Sequence, residues 1–90
     1  MTALEREVLE TIQRIVTAEL EFKGEVRPEL DLQRDLRIDS LGAVVLAVGL
    51  EDHFRVRLSP EDTVGVTTVA DLVARVAERV RETVNDPGSA

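Results

Sequence analysis

The chain is expected to be all-α, a four-helix bundle with a long first loop and a short third helix. Two observations predict it. Apolar residues recur at three- and four-residue steps in three separate segments, and polar helix-starting side chains stand at Asp39-Ser40, Ser59 and Thr68. A third observation bounds it: 90 residues suffice for one compact domain but not two, and so small a core must come from well-packed amphipathic helices. With 43% hydrophobic and 32% charged residues, the chain has the composition of a folded globular protein.

The first helix is expected from about Thr2 to about Leu20, where Leu4, Val8, Ile12 and Ile15 form the apolar stripe and Glu5, Glu7, Glu10 and Arg14 lie between them. Gly24 and Pro28 break that pattern. From Lys23 to Asp39 the residues Leu30, Leu32, Leu36 and Ile38 alternate with charges without a helical period, which predicts an ordered loop pinned by its apolar side chains. Asp39 and Ser40 start a second helix reaching about Phe54, because a short polar oxygen can accept a hydrogen bond from a free first-turn N–H.

Ser59-Pro60-Glu61-Asp62 is a further start signal, with proline at the first helical position. Thr63, Val64 and Gly65 cut the segment to at most a short third helix. Thr68 and Asp71 have capping-box spacing ahead of Val69, Leu72, Val73, Val76 and Val80, a helix expected to reach about Thr83. The domain is therefore placed at 1–84, and 85–90 is expected to be a flexible tail.

The chain contains no cysteine, which excludes disulfides, thiolate metal sites and a cysteine nucleophile. No stretch nears the roughly 20 apolar residues that span a bilayer, and the acidic, amphipathic N-terminus is unlike a signal peptide, so a cytoplasmic protein is expected. Eighteen acids against eleven bases give a net charge of −7. That balance disfavours nucleic acid and anionic membranes and favours basic protein partners.

The second helix has two apolar sides. At about 100° per residue, Ala43, Leu46, Ala47, Leu50 and Phe54 share one face, and Leu41, Val44, Val45 and Val48 lie nearly opposite. The first face is assigned to the core because it is bulkier and runs the whole length. The second is then an exposed apolar patch with Glu51 and Asp52 at its edge, a candidate contact surface beginning beside Ser40. The alternative is burial on both sides, under the long loop or a dimer partner. Ala43 and Ala47 are read as letting helices approach closely rather than as leaving room for a ligand.

Catalytic arrangements are not supported. A serine hydrolase needs a base beside its nucleophile, and the only histidine, His53, lies about three and a half turns along the helix from Ser40. The acids Asp31, Asp35, Glu51, Asp52, Glu61 and Asp62 do not follow calcium-loop spacing and are read as surface charge.

The stretch Asp35-Leu36-Arg37-Ile38-Asp39-Ser40-Leu41, the run Leu50-Glu51-Asp52-His53-Phe54 and the segment Val66-Thr67-Thr68-Val69 together closely resemble the acyl carrier protein family. The resemblance implies that Ser40, within the motif Asp39-Ser40-Leu41, receives 4′-phosphopantetheine from coenzyme A through a separate magnesium-dependent phosphopantetheinyl transferase. A phosphodiester there would meet the unpaired N–H groups and positive dipole of a helix N-terminus.

The resemblance also implies docking of partner enzymes on the second helix, where Glu51 and Asp52 match the family's acids: the transferase, an acyltransferase or adenylating loading enzyme, and a ketosynthase or other synthase. The apolar patch of Leu41, Val44, Val45 and Val48 is expected to add packing to that contact. Fatty-acid carriers commonly bear acids shortly after the motif, where this chain has Gly42 and Val45. A monomeric carrier in polyketide-type secondary metabolism is therefore expected, without catalytic residues of its own. A peptidyl or aminoacyl carrier and an unmodified helical interaction module are the alternatives.

Overall fold

A computed structural model of the chain describes residues 1–84. The expected tail at 85–90 lies outside the described residues. Three α-helices, α1 (Ala3–Glu19), α2 (Ser40–Phe54) and α3 (Val69–Val84), pack around one core, and a single 3-10 turn (Pro60–Thr63) stands where the short third helix was expected. The four-helix expectation is corrected accordingly. Ser59 starts the turn, its N–H and hydroxyl both donating to Asp62 Oδ2 (2.8 and 3.0 Å). It cannot propagate, because the residues that follow are Thr63, the extended Val64, and Gly65 at φ +82°.

α1 begins in a reciprocal cap. The Glu5 N–H donates to Thr2 Oγ1 (3.1 Å) and the Thr2 N–H to Glu5 Oε1 (2.7 Å). Its stripe of Val8, Ile12, Ile15 and Val16 is buried. α3 opens in the same way, with the Asp71 N–H on Thr68 Oγ1 and the Thr67 and Thr68 N–H groups on Asp71 Oδ2, all at 3.1 Å. It buries Val69, Leu72, Val73, Val76 and Ala77.

The loop between α1 and α2 is ordered, as its apolar residues predict: Val26, Leu36 and Ile38 are buried, and Leu30 and Leu32 pack on the core. Polar clamps hold it. Gln13 of α1 accepts from the Val26 N–H (2.7 Å) and donates to the Gly24 carbonyl (3.2 Å). On the far side, the Val69 N–H reaches the Leu30 carbonyl (2.9 Å) and the Leu32 N–H reaches the Thr67 carbonyl (3.0 Å), so the loop is laced to the start of α3.

The rotation of α2 differs from the expected one. Gly42, Leu46 and Leu50 are buried, with Phe54 and Val45 packed against the core. Ala43 is exposed and Ala47 half-buried. Close helix approach is made instead by Gly49, where an added Cβ would stand 2.6 Å from Ile15 Cδ1 of α1. Turning the small Gly42 and Gly49 toward their neighbours swings the alanines away from the interior.

Candidate functional site

Asp39 is the N-cap of α2. Its backbone is extended, and its Oδ1 accepts from the Gly42 N–H (2.7 Å) while its carbonyl accepts from the Ala43 N–H (2.8 Å). Gly42 permits this close cap, since a Cβ there would lie 3.2 Å from Asp39 Oδ1 and 3.4 Å from Ile38 Cγ2. With Gly42 and Ala43 satisfied, the N–H groups of Ser40 and Leu41 remain unpaired among the described residues. Ser40, the first residue of the helix, is exposed, and its hydroxyl makes no hydrogen bond there.

Ser40 stands at the edge of a cleft of about 360 Å³ between α2, the long loop, the 3-10 turn and α3. Leu46, Leu50, Leu58 and Leu72 contribute apolar walls, and Gln33 and Thr67 add polar groups. Ala43 and Ala47 line this cleft. They leave open space, contrary to the close packing expected of them.

On the other side of Ser40 the outer face of α2 is apolar and uncovered: Leu41 is 72% exposed, Val44 58% and Val48 55%. Val45, expected on the same face, is half-buried against the core. Glu51 and Asp52 differ in their engagement. The Glu51 carboxylate accepts from the Leu58 N–H (2.7 Å) and its carbonyl from the Val56 N–H (3.2 Å), which ties the end of α2 to the next segment. Asp52 is exposed and unpaired among the described residues.

Sequence reasoning missed Val64, which is 72% exposed and follows Thr63, a residue of the cleft wall. The sequence pattern marks it only as a poor helix former. An apolar residue between a helix-breaking threonine and glycine is the signal that could have marked it as displayed.

His53 is held away from Ser40. Its Nε2 lies 3.1 Å from Glu7 Oε2, its Nδ1 3.3 Å from Arg14 Nη2, and its ring meets Phe54 edge-on, so it braces α2 against α1. Thirteen helical steps separate it from Ser40 by about 20 Å. The carboxyls held below their ordinary values, Glu5, Asp62 and Asp71, are capping groups, each lowered first by a backbone N–H that it accepts. Among the described residues no group of acids and histidines is placed to hold a metal ion, and no helix is long and apolar enough to cross a membrane.

A small helical fold that displays an unengaged serine at a helix N-terminus, between an apolar cleft and an uncovered apolar helix face, has the layout of a carrier domain. Comparison with known proteins agrees: the profile of the phosphopantetheine attachment site matches residues 10–76, and the chain belongs to that family of acyl-carrier-type proteins. The fold is also similar to that of a Mycobacterium tuberculosis protein, Rv0033, assigned as an acyl carrier protein. The TM-score is 0.66 at 34% identity, over 84% of this chain and 97% of that one.

Family membership implies a covalently attached 4′-phosphopantetheine. The residues present fit that group. The Ser40 hydroxyl is accessible, the adjacent N–H groups are free to face a phosphate, and the cleft beside them is apolar.

Proposed function

We propose that this chain is an acyl carrier protein that bears its 4′-phosphopantetheine on Ser40 and presents acyl or aminoacyl intermediates to partner enzymes of a cytoplasmic, polyketide-type secondary pathway. The observation that carries the reading is the exposed, unbonded Ser40 hydroxyl at the start of α2. Bound there, the arm supplies a terminal thiol for a thioester link to the cargo. The role of the chain's own residues is positional. Asp39 caps α2 and fixes the direction in which Ser40 leaves the helix, and the unpaired Ser40 and Leu41 N–H groups would be available to the phosphodiester.

Leu41, Val44 and Val48 form the apolar contact for a phosphopantetheinyl transferase, a loading acyltransferase or adenylating enzyme, and a synthase. Val45 lies at its margin and Asp52 gives it a charged edge. Glu51 lends the edge charge while its carboxylate stays committed to Leu58. The neutral front of this surface supports dedicated partners that recognise it by packing. Presentation on a tethered arm raises the local concentration of cargo at each active site; apart from the link of Ser40 to the arm, the domain's side chains serve to position the cargo rather than to react with it.

The cleft favours one extension of this reading. At about 360 Å³ it is at the lower end of small-molecule pockets, roughly 300–1,000 Å³, and suits shelter of a short apolar cargo. Ala47→Leu, placed in its wall, should then accelerate hydrolysis of a short-chain acyl thioester; an unchanged rate would oppose shelter.

The main reading is tested by incubating the protein with coenzyme A, magnesium and a broad-specificity phosphopantetheinyl transferase and measuring the intact mass. A gain of one phosphopantetheinyl group that is lost in Ser40→Ala supports it. No gain in folded protein supports an unmodified helical interaction module instead.

A further inference from the structure

Attachment of a phosphodiester to Ser40 places a negative charge where the chain is already acidic. The net charge is −7, and the Asp39 carboxylate is the immediate neighbour. Two N–H groups, of Ser40 and Leu41, are the unpaired first-turn donors. Within ten positions of Ser40 on either side there are two bases, Arg34 and Arg37. Arg34 lies 4.0 Å from the Asp35 carboxylate. Arg37 is exposed, and its side chain takes part in no ion pair or hydrogen bond among the described residues.

Arg37 borders a surface hollow together with Asp39, Leu41 and Gly42, and Asp39 also borders the cleft that Ser40 edges. Three Cα–Cα steps separate Arg37 from Ser40 by at most about 11 Å, a gap that a long arginine side chain and a phosphate on the serine approach from both ends. The guanidinium fork matches two oxygens of a phosphate. Of the other acids nearby, Asp31 and Asp35 are engaged in the loop: Asp31 Oδ1 accepts from the Gln33 and Arg34 N–H groups, and Asp35 Oδ2 from the Asp31 N–H. Glu19 and Glu21 border the same hollow, and Arg37 makes no ion pair with either.

We infer that Arg37 is a positioning residue whose guanidinium pairs with the phosphodiester of the arm on Ser40 and restrains where the arm emerges. The inference rests on the assignment of Ser40 above and adds a residue to it. Arg37 has φ +55°, in the left-handed region that favours glycine, so Arg37→Gly removes the cation while keeping a backbone the site accepts. Loss of folding therefore does not confound the test.

The experiment compares ¹⁵N-labelled apo and phosphopantetheinylated protein, as wild type, Arg37→Gly and Arg37→Lys. The arginine Nε–Hε signal absent from Arg37→Gly identifies Arg37. On loading it should move more than those of the other arginines and return toward its apo position in high salt. The ³¹P signal of the arm should shift in Arg37→Gly and stay nearer the wild-type position in Arg37→Lys. The change in melting temperature on loading should be about 2–4 °C less favourable in Arg37→Gly, the scale of an exposed ion pair in a domain this size.

An Arg37 signal unmoved by loading, with the same ³¹P position in all three proteins, would overturn the inference and leave Ser40 as the attachment site; slower arm transfer alone would then assign Arg37 to a carboxylate on the transferase. Absence of the phosphopantetheinyl mass gain in wild type would overturn the Ser40 assignment and this inference together.

Discussion

Glu51 and Asp52 are adjacent acids in the last turn of α2, and the structure gives them different work. Glu51→Ala removes the acceptor of the part-buried Leu58 N–H. A hydrogen bond to a charged group contributes about 1.5–3 kcal/mol. Against that, removing an acid from the negative end of the helix dipole returns about 0.3–1 kcal/mol. The net loss is about 0.5–2.7 kcal/mol, and at about 4–8 °C per kcal/mol for a domain this size the melting temperature should fall by about 2–22 °C.

Asp52→Ala loses no partner and keeps the dipole gain, so its melting temperature should be unchanged or slightly raised. Glu51→Gln, which retains a neutral acceptor, should fall between the two. The assay is thermal unfolding followed by circular dichroism at 222 nm for the four proteins side by side. A Glu51→Ala protein within 2 °C of wild type (about 0.5 kcal/mol or less), or an Asp52→Ala protein that melts as low as Glu51→Ala, would refute the division of labour.

Further outcomes follow from the same geometry. Gly49→Ala drives a methyl to 2.6 Å from Ile15 Cδ1, and the overpacking cost of about 1–3 kcal/mol exceeds the roughly 1 kcal/mol of helix propensity gained, so the melting temperature should drop. Ile15→Val removes the clashing Cδ1, so the double variant should be more stable than the sum of the single changes predicts; strict additivity would deny the contact.

Glu5, Asp62 and Asp71 have folded values below their ordinary 4.5, 3.8 and 3.8. The stability they add is present above those ordinary values and is lost as pH falls through and below them. The melting temperature should therefore decline in acid below about pH 5, and decline less steeply in Asp71→Asn; equal slopes would contradict the role of this cap. Val44→Glu and Val48→Glu should leave the melting temperature within about 4 °C of wild type, since both side chains are exposed, yet slow transfer from the cognate partner. The half-buried Val45 is a poorer probe, because Val45→Glu would also disturb packing.

Local signals were readable where the physics is local. Thr2 with Glu5, Ser59 with Asp62, and Thr68 with Asp71 satisfy first-turn donors within four residues of chain, and α1, the 3-10 turn and α3 begin beside them in turn. The start of α2 at Asp39 and Ser40 was legible for the same reason. The rotation of α2 was not, because its two apolar sides have comparable weight and the choice is settled by a contact 34 positions away, between Gly49 and Ile15.

Nor does spacing distinguish Glu51 from Asp52. Only the return of the chain brings the Leu58 N–H to one of them. The lacing of Leu30 and Leu32 to Val69 and Thr67 is equally non-local. The left-handed turns at Glu21, Arg37 and Arg55 involve residues that carry no glycine flag in the sequence.

The claim on which the account depends is that Ser40 itself carries the arm. Tryptic cleavage after Arg37 and Arg55 releases the segment 38–55, whose single hydroxyl-bearing residue is Ser40. Fragmentation of that peptide from enzymatically loaded protein is the most direct measurement. The account predicts the phosphopantetheinyl mass on this peptide and its release as the characteristic ejected fragment. An unmodified 38–55 peptide from protein whose intact mass has increased, with the added mass on Ser59 or a threonine elsewhere, would contradict it.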